Sequence, residues 1–300
     1  MAPNKTVENE GVLFGVIAFS IYGFLPVYIK WVEEVAPTEV LVHRIIWAIP
    51  FGALILMYRR QWPEVRQALY DKKSMFWLAM SAFFISVGWI VFIWAVQQGQ
   101  VFQASLGYYI NPLMNVVIGV LFLGESLRLL QMIAVAIAAG AVLLLTILGG
   151  EFPLVAMVLA ISFALYGLIR KQIPVGAMPG LFIETAILFP LALGWLLWLF
   201  FSGSSVFGVN DINISGLLIL GGPVTVLPLL FFALAARRLS LSAIGFLQFI
   251  APSLHLIIGV YYGEPLSLPN LVCFGLIWIA VALFCADALQ ANQTKVTVAR

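Results

Sequence analysis

Residues 104–125 read ASLGYYINPLMNVVIGVLFLGE, and residues 244–264 read IGFLQFIAPSLHLIIGVYYGE. A shift of 140 positions sets Ile110 on Ile250, Pro112 on Pro252, Ile118 on Ile258 and Gly119 on Gly259, and one residue of drift then matches Gly124-Glu125 with Gly263-Glu264. Apolar matches come easily by chance in a hydrophobic chain, whereas paired prolines, glycines and a Gly-Glu at one offset do not. Working outward, the same shift sets Arg44 on Glu184, Pro50 on Pro190, Phe92 on Phe232 and Ala95 on Ala235. A slightly different offset pairs Tyr22-Gly23 with Tyr166-Gly167. The chain therefore reads as two related halves, 1–150 and 151–300, forming one integral membrane domain.

That these halves belong in a membrane follows from composition. Of 300 residues 63% are hydrophobic and 9% charged, with a mean hydropathy of +1.08. A soluble domain carries roughly a quarter of its residues charged to wet its surface. Here the charges fall in short clusters between apolar stretches of about 20 residues, each long enough to cross a hydrocarbon core as a helix. The expected spans are 11–31, 38–58, 75–97, 101–123, 128–149, 152–171, 178–201, 214–236, 241–262 and 268–289, which makes an all-α protein of ten transmembrane helices. The start, MAPNKTVENE, holds as many acids as bases would be expected in a leader and is followed by no small-residue cleavage site. The first span is accordingly expected to be a retained helix.

Basic residues set the orientation. With the amino terminus in the cytoplasm, the inner segments hold Lys5, Arg59, Arg60, Arg66, Lys72, Lys73, Arg128, Arg170, Lys171, Arg237, Arg238, Lys295 and Arg300, against Lys30 alone outside. Both termini are expected in the cytoplasm. Each half then has five spans, an odd number, so the second enters the membrane inverted relative to the first. Inverted repeats let one scaffold adopt inward-open and outward-open states around a midplane site.

Within the spans, polar residues stand out. Tyr108, Pro112, Asn115 and Gly119 line one helical face, with Asn111 beside them, and the offset maps this stripe onto Gln248, Pro252, His255 and Gly259. Proline removes a backbone donor and kinks a helix, freeing carbonyls that protein, water or ligand must satisfy. Two matched stripes beside two kinks point to a shared hydrated cavity, helix–helix hydrogen bonding being the plainer alternative. Arg44 and Glu184 are ionisable residues well inside spans, where charge is penalised by roughly 2.5–3.5 kcal/mol on insertion scales and marks a pathway, snorkelling to the outer interface being the alternative for the long stem of Arg44. Glu184, with too short a stem to reach an interface, is the candidate proton or gating site; His43 titrates in a useful range but equally fits a structural histidine. Trp89, in mid-span, could stack on a flat ligand or pack against its neighbours.

Other chemistry lacks its residues. Cys273 and Cys285 share one expected helix, about 18 Å apart and beyond disulfide reach. No His/Cys cluster points to a metal, no GxxxxGK[ST] segment to nucleotide, and no cofactor is implied. The net charge of +2 gives no sign of nucleic-acid binding.

The runs HRIIW (43–47), GWIVFIWAV (88–96), ASLGYYINP (104–112), FLGE (122–125), LYGLIRK (165–171), IET (183–185), GFLQFIAPS (245–253) and YGE (262–264) closely resemble the RarD branch of the EamA transporters, in the drug/metabolite transporter superfamily. The resemblance extends over nearly the whole chain. It implies a ten-helix carrier of the bacterial inner membrane with inverted five-helix repeats, a name linked to chloramphenicol sensitivity, and a superfamily that moves amino acids, metabolites and drugs. It assigns no binding residues. The leading expectation is a secondary transporter, an exporter or permease of small metabolites or drugs, surrounded by lipid and with protons as a candidate coupling ion. A channel-like facilitator and an intramembrane enzyme are the alternatives, the latter without a nucleophile–base pair or metal ligands to support it.

Overall fold

The computed structural model describes residues 5–123, 129–149, 152–208, 212–236, 238–239 and 247–298. All regular structure among them is helical: α1 (Lys5–Gly23), α2 (Leu25–Trp31), α3 (Pro37–Tyr58), α4 (Trp62–Tyr70), α5 (Lys72–Gln97), α6 (Val101–Leu123), α7 (Leu129–Gly149), α8 (Leu154–Gln172), α9 (Ala177–Phe201), α10 (Ile212–Ala236), α11 (Ile250–Tyr261) and α12 (Leu268–Val298). Six stretches among the described residues are long and apolar enough to cross a membrane: 9–31, 37–58, 72–97, 129–148, 177–201 and 212–235. Residues 154–170, 250–261 and 268–283 form shorter apolar helices. The Gly124-Glu125 member of the repeat lies outside the described residues, as do residues 241–246 at the start of the expected ninth span.

Two details depart from a plain reading of spans. The first span is two helices, interrupted at Phe24, with Pro26 in the first turn of α2. The 59–74 connection contains a short helix, α4, whose Val65 and Ala68 are buried while Arg66, Gln67 and Leu69 are exposed. Each break follows local chemistry. Pro26 has no N–H to give to the carbonyl of Tyr22, four residues back, so the helix cannot continue regularly through that point. At Asp71 the side chain caps α5, accepting from the Lys73 amide at 3.1 Å and the Ser74 hydroxyl at 2.6 Å. These bonds hold its carboxyl below the ordinary carboxylate range.

The helices pack as a bundle with two ends. At one end Glu64 accepts from the Gly176 amide at 2.6 Å and Arg238 lies 3.5 Å from Glu10. At the other, Gln97 donates to the carbonyls of Val32 and Val35. Glu39 there accepts from Ser205 Oγ at 2.8 Å and from the Val206 amide at 3.0 Å, and Glu264 accepts from the amides of Val101 and Phe102. Burial pushes the Glu264 carboxyl above its ordinary value while those two amides pull it down. Each carboxylate meets backbone donors that a helix start or a turn leaves orphaned.

Inside, α3 packs on α9 and α10, α5 and α6 on α8, α1 on α10 and α11, α6 on α11, and α7 on α12. Leu54, Met57, Phe83, Leu143, Ile147, Leu191, Trp198, Phe201 and Ile257 are exposed on the outside. So large an apolar surface is untenable in water and is what lipid tails require.

The backbones of α3 and α10 approach each other closely. A Cβ at Gly222 would collide with the Trp47 carbonyl, and one at Gly221 would sit 2.7 Å from Tyr28 Oη and 2.9 Å from Arg44 Cγ. Small residues at such crossings let helices associate through dispersion where no hydrophobic effect operates. Gly222→Ala is therefore predicted to lower the unfolding temperature in detergent, at a cost of about 1–3 kcal/mol typical of overpacking. Gly216→Ala on the same helix, with nothing within 4 Å of the new methyl, should leave it unchanged or raise it. The check is thermal unfolding of the two variants side by side.

Candidate functional site

A cavity of about 180 Å³ lies in the bundle interior, lined by Phe19, Tyr22, Leu25, Arg44, Ile85, Trp89, Phe92, Tyr108, Asn111, Phe163, Tyr166, Leu181, Thr225, Leu229, Gln248 and Ala251. These residues come from α1, α2, α3, α5, α6, α8, α9, α10, α11 and the segment entering α11. Arg44 lies about 10 Å from the start of α3, and Tyr108 a similar distance into α6, so the cavity sits deep in the apolar layer.

Arg44 dominates its electrostatics. The side chain is buried, its Nε donates to Thr225 Oγ1 at 3.1 Å, and its guanidinium carbon stands 5.3 Å from the centre of the Trp89 ring. Thr225 in turn donates to the Gly221 carbonyl at 2.8 Å, which fixes its oxygen toward the arginine. Rings close the rest of the wall: Tyr108 lies edge-on to Phe92 and tilted against Phe163, at 5.8 and 5.1 Å between centroids.

Of the residues expected around a cavity, Tyr108, Asn111, Gln248, Arg44 and Trp89 meet there. The side chains of Pro112 and Asn115 lie outside the described residues, although α6 runs through both positions. Pro252 is in the first turn of α11, and its carbonyl accepts from Ser105 Oγ at 2.7 Å where α6 and α11 cross.

His255 is set one layer back and does not line the cavity. It packs 5.2 Å from Tyr108 and 5.4 Å from Phe92, and its Nε2 lies 3.0 Å from the Tyr22 carbonyl. That carbonyl is the one Pro26 leaves without a helical donor. A carbonyl only accepts, so Nε2 carries the proton, and His255 mends the break between α1 and α2.

His43 also stands away from the cavity. Its Nδ1 accepts from the Trp47 indole at 3.2 Å, and its ring lies 4.6 Å from Phe207. An indole N–H can only donate, so Nδ1 is unprotonated. The ring thus anchors the segment after α9 onto α3, next to the Glu39 clamp.

Glu184 lies beside the cavity rather than on its wall, fully buried. Ser81 Oγ makes a short bond to its Oε1, Tyr166 Oη donates to its Oε2 at 3.4 Å, and Arg170 Nε is 3.6 Å from Oε1. Arg170 also donates to the carbonyls of Gly176 at 2.9 Å and Ala177 at 3.4 Å. Its guanidinium occupies the space where a Cβ at Gly180 would fall. This set escapes a reading of the sequence because Arg170 looks like a loop charge in LYGLIRK and Ser81 like an ordinary small residue. The signal was the glycine three residues beyond Ala177. Tyr166 joins the two sites, since it lines the cavity and also meets Glu184.

A second cavity, about 280 Å³, opens at the end of the bundle near Glu264, Gln103, Asn270 and Phe274. It shares no lining residue with the first, and no arginine or lysine lines it. The interior cavity, carrying a buried cation and walls from both halves, is the better functional candidate despite its smaller volume.

Residues 9–147 match the EamA-like transporter family. Protein RarD of Salmonella typhi is 42% identical over 288 residues, covering 96% of this chain and 98% of the relative. The chloramphenicol-sensitive protein RarD of Pseudomonas aeruginosa is 32% identical over 290 residues, covering 95% of this chain and 96% of that one. A solved crystal structure shares the fold with a TM-score of 0.60 at 18% identity, covering 94% of this chain and 99% of its own. With its apolar helices and these full-length relatives, the chain is a multi-pass membrane protein and belongs to the RarD branch of the EamA transporter family, within the drug/metabolite transporter superfamily.

Proposed function

We propose that the protein is a secondary transporter of the bacterial inner membrane that carries a small organic solute through the interior cavity by alternating access. The observation that carries this reading is the cavity itself, a largely apolar, aromatic-walled space deep in the bundle into which Arg44, Asn111, Thr225 and Gln248 converge, with walls from both halves of the chain. Ten spans in two inverted halves, 1–150 and 151–300, supply the two states. The packing supports that arrangement: exchanging the halves maps the α5–α8 contact onto α10–α1, α6–α8 onto α11–α1 and α3–α10 onto α9–α5, and leaves α3–α9, α6–α11 and α7–α12 mapped onto themselves. A two-fold scaffold of this kind rocks between states of similar energy.

Glu184 is the proposed proton site. A carboxylate inside the bundle next to Arg170, Ser81 and Tyr166 can hold or release a proton as the cavity changes sides, and Tyr166 transmits that change to the lining. Chloramphenicol enters the set of candidate solutes through the relative that carries it in its name.

The test is flux into proteoliposomes under an imposed pH gradient, screened over amino acids, aromatic acids and chloramphenicol. Glu184→Gln is expected to insert and bind but to lose the pH dependence of flux. An unchanged pH profile in correctly inserted variant protein would remove Glu184 as the proton site.

Both termini are proposed to be cytoplasmic. Reporter fusions after Arg66 and at Arg300 should then be active in the cytoplasm, and one after Asp211 in the periplasm. A periplasmic signal from 59–74 would contradict this orientation.

A further inference from the structure

The interior cavity holds a buried cation that no anion of the described residues balances. Arg44 is 2% exposed, yet its ionisable neighbours are the phenols of Tyr22, Tyr28 and Tyr108. Glu184, the buried carboxylate of this layer, is engaged by Arg170 instead. Of the five N–H groups on the Arg44 guanidinium, Nε is used by Thr225, while Nη1 is buried with no hydrogen-bond partner. Asn111 Oδ1, on the same lining, is also buried without a partner. Carboxamide oxygen and nitrogen exchange places by a flip, so Asn111 can present donors to the same space.

An uncompensated charge and unmet donors deep in hydrocarbon are costly, and such residues persist where a ligand or partner completes them. A guanidinium fork matches a carboxylate in shape as well as charge. Beside it stand flat faces, with Trp89 under the guanidinium and Tyr22, Tyr108 and Phe163 along the wall.

Resting on the reading of this cavity as the transport site, we propose that its substrate class is a small organic monoanion that carries a flat ring. The carboxylate, or an anion of similar shape, pairs with Arg44 and Asn111, and the ring lies against Trp89 and Tyr108. At about 180 Å³ the cavity suits one ring with a short acidic arm. The opposite polarity is disfavoured, since an organic cation would enter a site that already holds an unbalanced positive charge. The Thr225 and Trp89 contacts alone would hold Arg44 in place, but they leave Nη1 unmet and give no reason for the matching gap at Asn111.

The experiment is titration of the purified full chain in detergent with four probes at constant ionic strength: phenylacetate, acetate, phenylacetamide and phenethylamine. Heat of binding and thermal shift are both read. Phenylacetate is expected to bind at least tenfold tighter than phenylacetamide and than acetate, with phenethylamine weakest. Arg44→Gln should remove the preference for phenylacetate over phenylacetamide, and Arg44→Lys should retain part of it. Trp89→Phe should narrow the gap between phenylacetate and acetate without touching the charge preference, whereas loss of the charge preference in Arg44→Gln with partial rescue by Arg44→Lys is what a purely structural arginine would not produce. Tighter binding of phenylacetamide or phenethylamine, or a charge preference that survives Arg44→Gln in folded protein, would overturn the anion assignment while leaving the cavity as a binding site. If no probe binds, the anion assignment falls, and the flux assay alone decides the reading of this cavity as the transport site.

Discussion

A hydrocarbon core offers no hydrogen bonds, so every polar group that enters it must be met by another group of the protein or by something the protein carries. Most of this structure can be derived from that constraint. Helices satisfy their own backbones, and the places where they fail to do so are few and informative. At Pro26 the helix loses a donor, the Tyr22 carbonyl is stranded, and His255 reaches across from α11 to meet it at 3.0 Å. At the bundle ends, Glu39, Glu64 and Glu264 take up the amides that turns and helix starts leave open. Where satisfaction is complete the structure is a scaffold. Two of the buried polar atoms left without a protein partner, Arg44 Nη1 and Asn111 Oδ1, belong to residues that line one cavity.

The same constraint explains why many residues that line this cavity were legible in the sequence. Arg44, Asn111 and Gln248 stand out in a chain with 9% charged residues because each would be expelled from lipid without a partner. Tyr108 was found by its register with a proline, and Trp89 by its depth. Tyr22 and Tyr166, paired in sequence by a slightly different offset, face one cavity.

What could not be read concerns partners rather than positions. His255 shares a helical face with Gln248, which suggested the cavity, but its bond is to a carbonyl freed by a proline in a different span. The clue was a four-residue spacing, Tyr22 to Pro26, visible only once the consequences of that proline are followed. Arg170 was counted among loop charges because it ends a span. Its turn inward to Glu184 depends on the gap at Gly180, which sequence spacing alone does not join to it. Thr225 was hidden because a hydroxyl bonded back to its own helix looks apolar in pattern. The break at Phe24 and the short helix Trp62–Tyr70 were missed for a related reason: average hydropathy over 20 residues smooths over a single proline and over a half-buried turn.

The central claim is that one interior cavity communicates with both faces of the membrane in turn. It is tested most directly at Thr225, which lines the cavity beside Arg44. With Cys273 and Cys285 replaced, Thr225→Cys would be exposed to a membrane-impermeant maleimide in sealed right-side-out vesicles and in inverted ones, with lipid-facing Ile257→Cys as the control. The account predicts that the cysteine at 225 is modified from either side while the one at 257 is modified from neither. Modification at 225 in only one of the two preparations would mean a dead-end pocket and would contradict alternating access.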